Sequence, residues 1–195
     1  MPEDKELRNL VEFFHLVEKL KLEKRKGWLD RGVNQGESVA DHSFRFALMA
    51  MVFAKRQKLD VCKAVKMALV HDLPEAICGD VATRIKEELQ KIPNKEKEER
   101  EEKAMEEMLQ YLDKELADEI RQLWQEFNKR ETKEARLLYE LDRLEAIFQA
   151  AEYEKEGNFR VSLQEFFDYA DGRLRNEELK EVFQLLMQER RQSQG

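Results

Sequence analysis

The sequence predicts an all-α fold, a single globular bundle of roughly eight helices over residues 1–195. Only 7 glycines and 3 prolines interrupt the chain, whereas turn-rich β proteins contain many more of both. Hydrophobic residues make up 42% and charged residues 39%, a balance typical of helices with an apolar inner face and a charged outer face. These observations exclude an all-β sandwich, and 11 Phe, 4 Tyr and 2 Trp supply too much buriable surface for a disordered chain.

The first half of the chain divides into helical segments separated by one long loop. Apolar residues at helical spacing predict a first helix over Lys5–Leu22, and several glycines predict a loop over 24–37 that carries Trp28. Three further helical segments follow: one over about Val39–Lys58, one capped by Asp60 and ending near His71-Asp72, and a short one between Pro74 and Gly79.

The second half of the chain is helical almost throughout. Its apolar spacing predicts three longer helices, over Asn94–Leu112, over the segment Leu116–Phe127, and from a cap at Thr132 to Gly157. Two C-terminal helical stretches over residues 158–190 complete the chain. We therefore expect one domain, with its chemistry concentrated in residues 37–150.

Charge and patterning limit the partners and the compartment. The chain has 35 Lys and Arg against 42 Asp and Glu, a formal charge of −7, which disfavours binding to a nucleic acid polymer. No apolar run is long enough for a bilayer span, and the first residues do not resemble a signal peptide, so we expect a cytoplasmic protein. Cys62 and Cys78 are expected to be buried free thiols.

Two histidines and two aspartates carry most of the chemistry. His42 and His71 lie in segments that otherwise look apolar, and Asp72 follows His71 directly. Asp142 lies within a predicted core helix, where an ionised carboxylate is costly unless a cation compensates it. Imidazole nitrogens and carboxylate oxygens together suit a divalent transition metal. The alternative is that each histidine is a satisfied core residue and that Asp142 faces a neighbouring arginine at the helix surface.

In chain order, these four residues match the metal-ligand pattern of the HD-domain phosphohydrolase superfamily. The surrounding sequence also resembles the branch that contains bacterial 5′-deoxynucleotidases and HD domain-containing protein 2. The matching segments are ESVADHS at 37–43, ALVHDLPEA at 68–76, GD at 79–80 and LDRLE at 141–145. The resemblance extends to about residue 153 and implies an HD-domain helical bundle.

The resemblance implies a metal-dependent 5′-nucleotidase acting on deoxyribonucleoside monophosphates. One divalent ion (Mn, Co, Mg, Fe, Ni or Zn) is expected on His42, His71, Asp72 and Asp142, with Asp72 counted among the catalytic residues. A metal of this kind activates water near neutral pH, so no serine or cysteine nucleophile is needed. Glu75 matches the position that handles protons in catalysis. Its structural alternative is a favourable carboxylate in the first turn of a short helix.

The resemblance also implies substrate contacts. Asp80 matches a position that contacts the deoxyribose, the alternative being a helix cap, and Trp28 matches a residue that excludes a ribose 2′-hydroxyl, the alternative being a plug over the core. The bacterial enzymes carry an arginine before this tryptophan, where this chain has Gly27. Phosphate contacts are therefore expected from other nearby cations, the alternative being a solvated basic surface: Arg25, Lys26 and Arg31.

Other interpretations stay open. The chain is alternatively an HD phosphohydrolase of another nucleotide, such as a triphosphate or a signalling nucleotide, or a non-catalytic helical scaffold stabilised by metal. Glu37 and Arg45 are expected to orient the metal ligands. A homodimer is expected from the resemblance, with apolar residues of the last helix serving either the interface or the core: Leu179, Val182, Phe183 and Leu186.

Overall fold

The computed structural model describes residues 2–82, 92–170 and 172–193, and the regular secondary structure in these ranges is helical. Eight helices in these ranges have seven or more residues, in agreement with the predicted bundle, and two have a single turn. They are α1 (Pro2–Leu22), α2 (Lys26–Leu29), α3 (Val39–Arg56), α4 (Val61–Val70), α5 (Glu75–Cys78), α6 (Asn94–Leu109), α7 (Lys114–Lys129), α8 (Lys133–Glu156), α9 (Gln164–Ala170) and α10 (Glu177–Ser193). Within the same ranges there is no strand, only an isolated antiparallel bridge between residues 24 and 38.

Side-chain caps fix where the helices that carry the site begin. Asp60 accepts a hydrogen bond from the Lys63 amide at 2.9 Å, and Thr132 accepts one from the Ala135 amide at 3.2 Å, so both predicted caps are confirmed. Ser38 caps α3 through a capping box. Its hydroxyl accepts a hydrogen bond from the Asp41 backbone amide, and the Asp41 carboxylate accepts one from the Ser38 backbone amide. These caps set the register of α3, α4 and α8.

The main core lies where α3, α4 and α8 pack together. Each helix contributes a buried apolar face; the fully buried side chains include Phe46 and Ala50 from α3, Met67 and Ala68 from α4, and Leu138, Leu141 and Leu144 from α8. Because His42, His71 and Asp142 lie on these same three helices or at their ends, packing of the core brings them together.

The C-terminal helices cover the core rather than leaving an apolar face open. Leu179 is fully buried and Leu186 nearly so, while Val182 and Phe183 pack against buried clusters. Of the two roles considered for this helix, the structure shows the packing role.

Three details differ from the sequence prediction or add to it. The segment expected to be a plain loop contains the single-turn helix α2, which buries Trp28. Cys62 was expected to be buried but is exposed, because it lies on the outer face of α4, and Cys78 is half-buried. No described helix is long and apolar enough to cross a membrane.

Candidate functional site

The four predicted ligands converge at the junction of α3, α4 and α8. His42 lies in the first turn of α3, His71 ends α4, Asp72 follows it, and Asp142 lies midway along α8. Nε2 of His42 lies 3.3 Å from Nε2 of His71 and 3.2 Å from Oδ1 of Asp142. Nε2 of His71 lies 2.9 Å from Oδ2 of Asp72. Two imidazole nitrogens and two carboxylates thus face a common point.

The opposite nitrogen of each histidine is held by another group. Nδ1 of His71 donates to the Ala68 carbonyl, 2.8 Å away, and Nδ1 of His42 contacts the Glu145 carboxylate. Both rings therefore present Nε2 to the cluster, which is how histidines are oriented in metal sites. The ligand atoms of His42, His71 and Asp72 lie within 4.8 Å of one another, so the donor set fits a divalent ion.

Glu145 is the orienting residue that the sequence interpretation did not assign. It is fully buried and lies one helical turn after Asp142, on the same face of α8. Its other oxygen accepts a hydrogen bond from Nε of Arg45 at 2.7 Å. The expected role of Arg45 is therefore exerted through Glu145. The signal was present in the segment LDRLE, in which positions 142 and 145 are one turn apart.

The charges inside the cluster support ionised carboxylates. Burial and the Arg25 guanidinium lower the pKa of His42, but the Glu145 and Asp142 carboxylates raise it by more, to about 9. Burial disfavours ionisation of the aspartates, yet His71 holds the pKa of Asp72 well below its usual value, and His42 does the same for Asp142. The aspartates are thus in the charged form that a metal requires.

Glu75 stands beside this cluster with a free oxygen. It is the first residue of α5 and only 6% exposed, and its Oε2 has no hydrogen-bond partner among the residues described. Burial, together with the nearby Asp72 and Asp80, raises the pKa of Glu75 well above its usual value. A buried carboxyl with a raised pKa and an unused oxygen is suited to proton transfer.

A cavity of about 280 Å³ opens onto Glu75 and the predicted ligands His71, Asp72 and Asp142. Its walls combine aromatic rings and charged side chains. The lining also includes Arg25, Gly27, Trp28, Arg31, Asp80, Lys97, Glu101, Phe127, Arg130, Tyr139, Arg143, Glu165, Phe166 and Tyr169. The volume is close to the lower limit of pockets that hold small ligands.

Trp28 is both a cavity wall and a core residue. It is 1% exposed, its indole N–H donates to Glu37 at 2.8 Å, and its ring stacks on Phe166 with centroids 4.2 Å apart. The Phe166 ring lies 3.4 Å from where a side chain of Gly27 would begin, so it occupies the space beside the glycine. The plug over the core considered from the sequence is thus what the packing shows, although the ring also lines the cavity.

The three predicted phosphate contacts differ in their surroundings. The Arg25 guanidinium lies 3.6 Å from Asp72 and 3.8 Å from Glu37, and Arg31 pairs with Glu165. Both arginines line the cavity. The Lys26 ammonium instead pairs at 2.6 Å with Glu23, outside the lining.

Asp80 lines the cavity at the start of the segment that follows α5. Its carboxylate accepts the backbone N–H of Lys26, and its own N–H donates to Glu23 at 3.1 Å. These bonds tie the loop before α2 to the end of α5. The cavity also contains two cations that the sequence interpretation did not assign. One is Lys97, whose ammonium lies 3.3 Å from the Glu101 carboxylate, and the other is Arg143, which follows Asp142 in the chain.

Comparison with known proteins points in the same direction as this geometry. A family model described as HD domain matches residues 17–183. The 5′-deoxynucleotidase HDDC2 of Bos taurus is 39% identical over 183 residues, covering 94% of this chain and 86% of that protein. The protein of the same name from Dictyostelium discoideum is 40% identical over 177 residues, covering 86% of this chain and 90% of its own.

Solved structures show the same architecture. A conserved hypothetical protein from Pyrococcus furiosus is 34% identical and superposes with a TM-score of 0.71, covering 91% of this chain and 99% of its own. A predicted metal-dependent phosphohydrolase from Magnetospirillum magnetotacticum MS-1 is 26% identical with a TM-score of 0.71, covering 98% of this chain and 95% of its own. With the site geometry, the family match and these relatives in agreement, the chain belongs to the HD domain family.

Proposed function

We propose that this protein is a metal-dependent 5′-nucleotidase that hydrolyses deoxyribonucleoside 5′-monophosphates to a deoxynucleoside and phosphate. The observation that carries the proposal is the convergence of four metal-ligating side chains beside Glu75, a buried carboxyl with an unpartnered oxygen. Relatives that cover most of the chain are named 5′-deoxynucleotidases, which supports this substrate class.

Membership of the HD family implies a divalent metal, and the donor set fits one. His42, His71, Asp72 and Asp142 would hold a single ion. Such an ion polarises a phosphoryl oxygen and lowers the pKa of bound water, which provides a nucleophile near neutral pH. Two nitrogens and two carboxylates accept Mn, Co, Fe, Ni, Zn or Mg, so the donor set leaves the identity of the ion open.

Glu75 is proposed to carry the proton during hydrolysis. Its free Oε2 accepts a proton from the water that attacks phosphorus, and the carboxyl returns that proton to the 5′ oxygen as the P–O bond breaks. The raised pKa makes the ionised carboxyl a stronger proton acceptor than an ordinary glutamate. No covalent enzyme intermediate is required.

The remaining contacts are proposed for the sugar and the phosphate. The Asp80 carboxylate accepts a bond from a deoxyribose hydroxyl, and the Trp28 ring limits the space for a 2′-hydroxyl; both line the cavity. Arg25 and Arg31 lie in the same lining and add positive charge. Lys26 contributes to the local field only, since its ammonium pairs with Glu23.

The test is phosphate release from deoxy- and ribonucleoside mono- and triphosphates, with metal-stripped protein to which Mn, Co or Mg is restored singly. We expect release from deoxy monophosphates alone, and only with metal. Activity confined to triphosphates would assign the chain to another HD phosphohydrolase class. Silence across the panel despite tight metal binding would favour a signalling nucleotide or a metal-stabilised scaffold.

Two variants separate metal binding from proton transfer. Asp72→Ala should lose the metal and the activity together, because it removes a ligand. Glu75→Gln has nearly the same size but cannot exchange a proton, so it should keep the metal and lose about 100-fold or more in rate. Normal turnover in Glu75→Gln would remove the assigned role.

We further propose one HD domain over residues 1–195, a homodimer and a cytoplasmic location. Free Cys62 and Cys78 fit a reducing compartment. Exposed Leu7, Val11 and Phe14 recur at helical spacing on α1 and offer apolar area to a second copy of the chain. Light scattering of purified protein measures the oligomeric state directly.

A further inference from the structure

Arg143 is a buried cation in the cavity wall, directly after the ligand Asp142. It is only 8% exposed and lines the cavity. One terminal nitrogen donates to the Tyr139 carbonyl, and the other lies 3.4 Å from the Tyr169 hydroxyl. Its guanidinium carbon lies 3.4 Å from the centre of the Tyr139 ring, a cation–π contact. Its Nε is buried and has no hydrogen-bond partner among the residues described.

The other cations in the wall differ from Arg143 in their charge balance. Arg25 lies near Glu37 and Asp72, Arg31 pairs with Glu165, and Lys97 pairs with Glu101. Arg130 also lies over the Tyr139 ring, at 3.5 Å, but it is exposed to solvent. Within the described part of the chain, Arg143 is therefore the buried cavity cation with no carboxylate within ion-pair distance.

A buried charge of this kind calls for an anion. Neutral partners such as a tyrosine ring and a backbone carbonyl stabilise a guanidinium only in part, so a compensating negative charge lowers its free energy further. A nucleobase or a sugar hydroxyl is neutral and would leave the charge uncompensated. The dianionic phosphate of a nucleoside monophosphate would compensate it, and a planar guanidinium with an open Nε–H suits phosphate oxygens.

From these observations we propose that Arg143 binds the phosphate group of the substrate. The inference rests on the proposed nucleotidase function and names the phosphate contact within that same site. It also accounts for Gly27, which offers no side chain for this role. Arg25 and Arg31 already face carboxylates, so they add to the positive charge of the cavity wall rather than serve as the phosphate contact.

The test uses calorimetry to measure how tightly each of two reaction products, inorganic phosphate and deoxyadenosine, binds to the magnesium-loaded protein. Arg143→Gln should weaken phosphate binding about tenfold or more, the loss expected for a charge-assisted hydrogen bond, and leave deoxyadenosine binding unchanged. Arg143→Lys keeps the charge but loses the planar guanidinium, so its phosphate affinity should lie between that of the wild type and that of Arg143→Gln. Arg130→Gln is the matched control, since it removes the exposed guanidinium over the same ring and should retain the phosphate affinity.

Each outcome decides the assignment. Phosphate affinity within twofold of the wild type in Arg143→Gln would overturn it. Equal weakening of phosphate and deoxyadenosine would overturn it too, because it would show a structural role. If Arg143→Gln fails to fold, Arg143→Lys decides by the same comparison. A different result would separate the two proposals. If phosphate binding depends on Arg143 but the protein releases no phosphate from deoxyribonucleoside monophosphates, the phosphate site stands and the proposed nucleotidase function is refuted.

Discussion

At the scale of single residues, Glu145 determines which nitrogen of His42 faces the predicted metal site. Its carboxylate contacts Nδ1 of His42, and Nε of Arg45 donates a hydrogen bond to the same carboxylate. We predict that Glu145→Gln lowers metal affinity by about 10- to 100-fold, the usual effect of losing an orienting partner. Competition against a chromophoric chelator measures this change. Glu152→Gln is the control, because Glu152 also bonds Arg45, at 2.8 Å, but does not touch His42; equal losses in the two variants would contradict the assignment.

The two cysteines should differ in reactivity with pH. Cys62 is exposed, whereas burial and then the charges of Glu101 and Glu75 raise the pKa of Cys78 to about 12. Only the thiolate reacts, and its fraction rises about tenfold per pH unit below the pKa. At pH 8, iodoacetamide should therefore label Cys62 first, and labelling of Cys78 should rise steeply toward pH 12. Peptide mass spectrometry reads both sites; equal rates in the folded protein at pH 8 would refute the prediction, and equal rates in urea provide the control.

Residue type and order were sufficient to select four side chains that the fold brings together, and Glu75 beside them, because the family pattern fixes their positions along the chain. They were insufficient for side chains whose role depends on packing across helices. Arg143 is indistinguishable from an ordinary helix arginine in the sequence; the structure shows it buried in the cavity wall, with no carboxylate of the described residues within ion-pair distance. Likewise, a tryptophan in a glycine-rich segment gives no sign that it will be buried against α9, as Trp28 is against Phe166.

At the scale of helices, the first turn of α3 links folding to the site. Ser38 caps this helix, and its carbonyl accepts the His42 amide at 3.1 Å. Ser38→Ala should lower the free energy of unfolding by about 1 kcal/mol, the usual cost of losing such a cap, and should also weaken metal binding because His42 lies in the loosened turn. Denaturant titration and the chelator assay measure the two effects. Asp113→Ala removes the cap of α7, away from the ligands, so it should lower stability without changing metal affinity; a parallel loss of affinity would contradict the link.

The starts of α4 and α8 and the end of α8 followed from the sequence, because a cap or a glycine marks each of them. Asp60 and Thr132 begin α4 and α8 as expected, and Gly157 ends α8 with a φ of +67°, a backbone conformation that favours glycine. The single turn of α2 has no such signal, since four residues are too few to show a helical period. Its position depends instead on tertiary contacts, such as the bond between Asp80 and the Lys26 amide.

At the scale of the whole molecule, the predicted metal ligands connect segments that are far apart in the sequence. His42 comes from α3, His71 and Asp72 from the end of α4, and Asp142 from α8, the same helices whose apolar faces form the main core. An ion bound by these four residues would therefore crosslink the centre of the fold. The cluster brings two carboxylates and two histidines together, and the contact between His42 and Asp142 is an ion pair only when His42 is protonated.

Metal binding should consequently stabilise the entire domain against heat. An ion at 100 times its dissociation constant adds about 2.7 kcal/mol to the free energy of unfolding, provided that it binds only the folded chain. For a chain of this size, that corresponds to a rise in Tm of roughly 5–10 °C. Calorimetry of metal-stripped protein, with and without manganese, measures the shift. Asp142→Asn removes one anionic ligand and should abolish most of the rise, while Glu152→Gln, outside the cluster, should keep it. A full rise in Asp142→Asn would show that the stabilising ion binds elsewhere on the molecule.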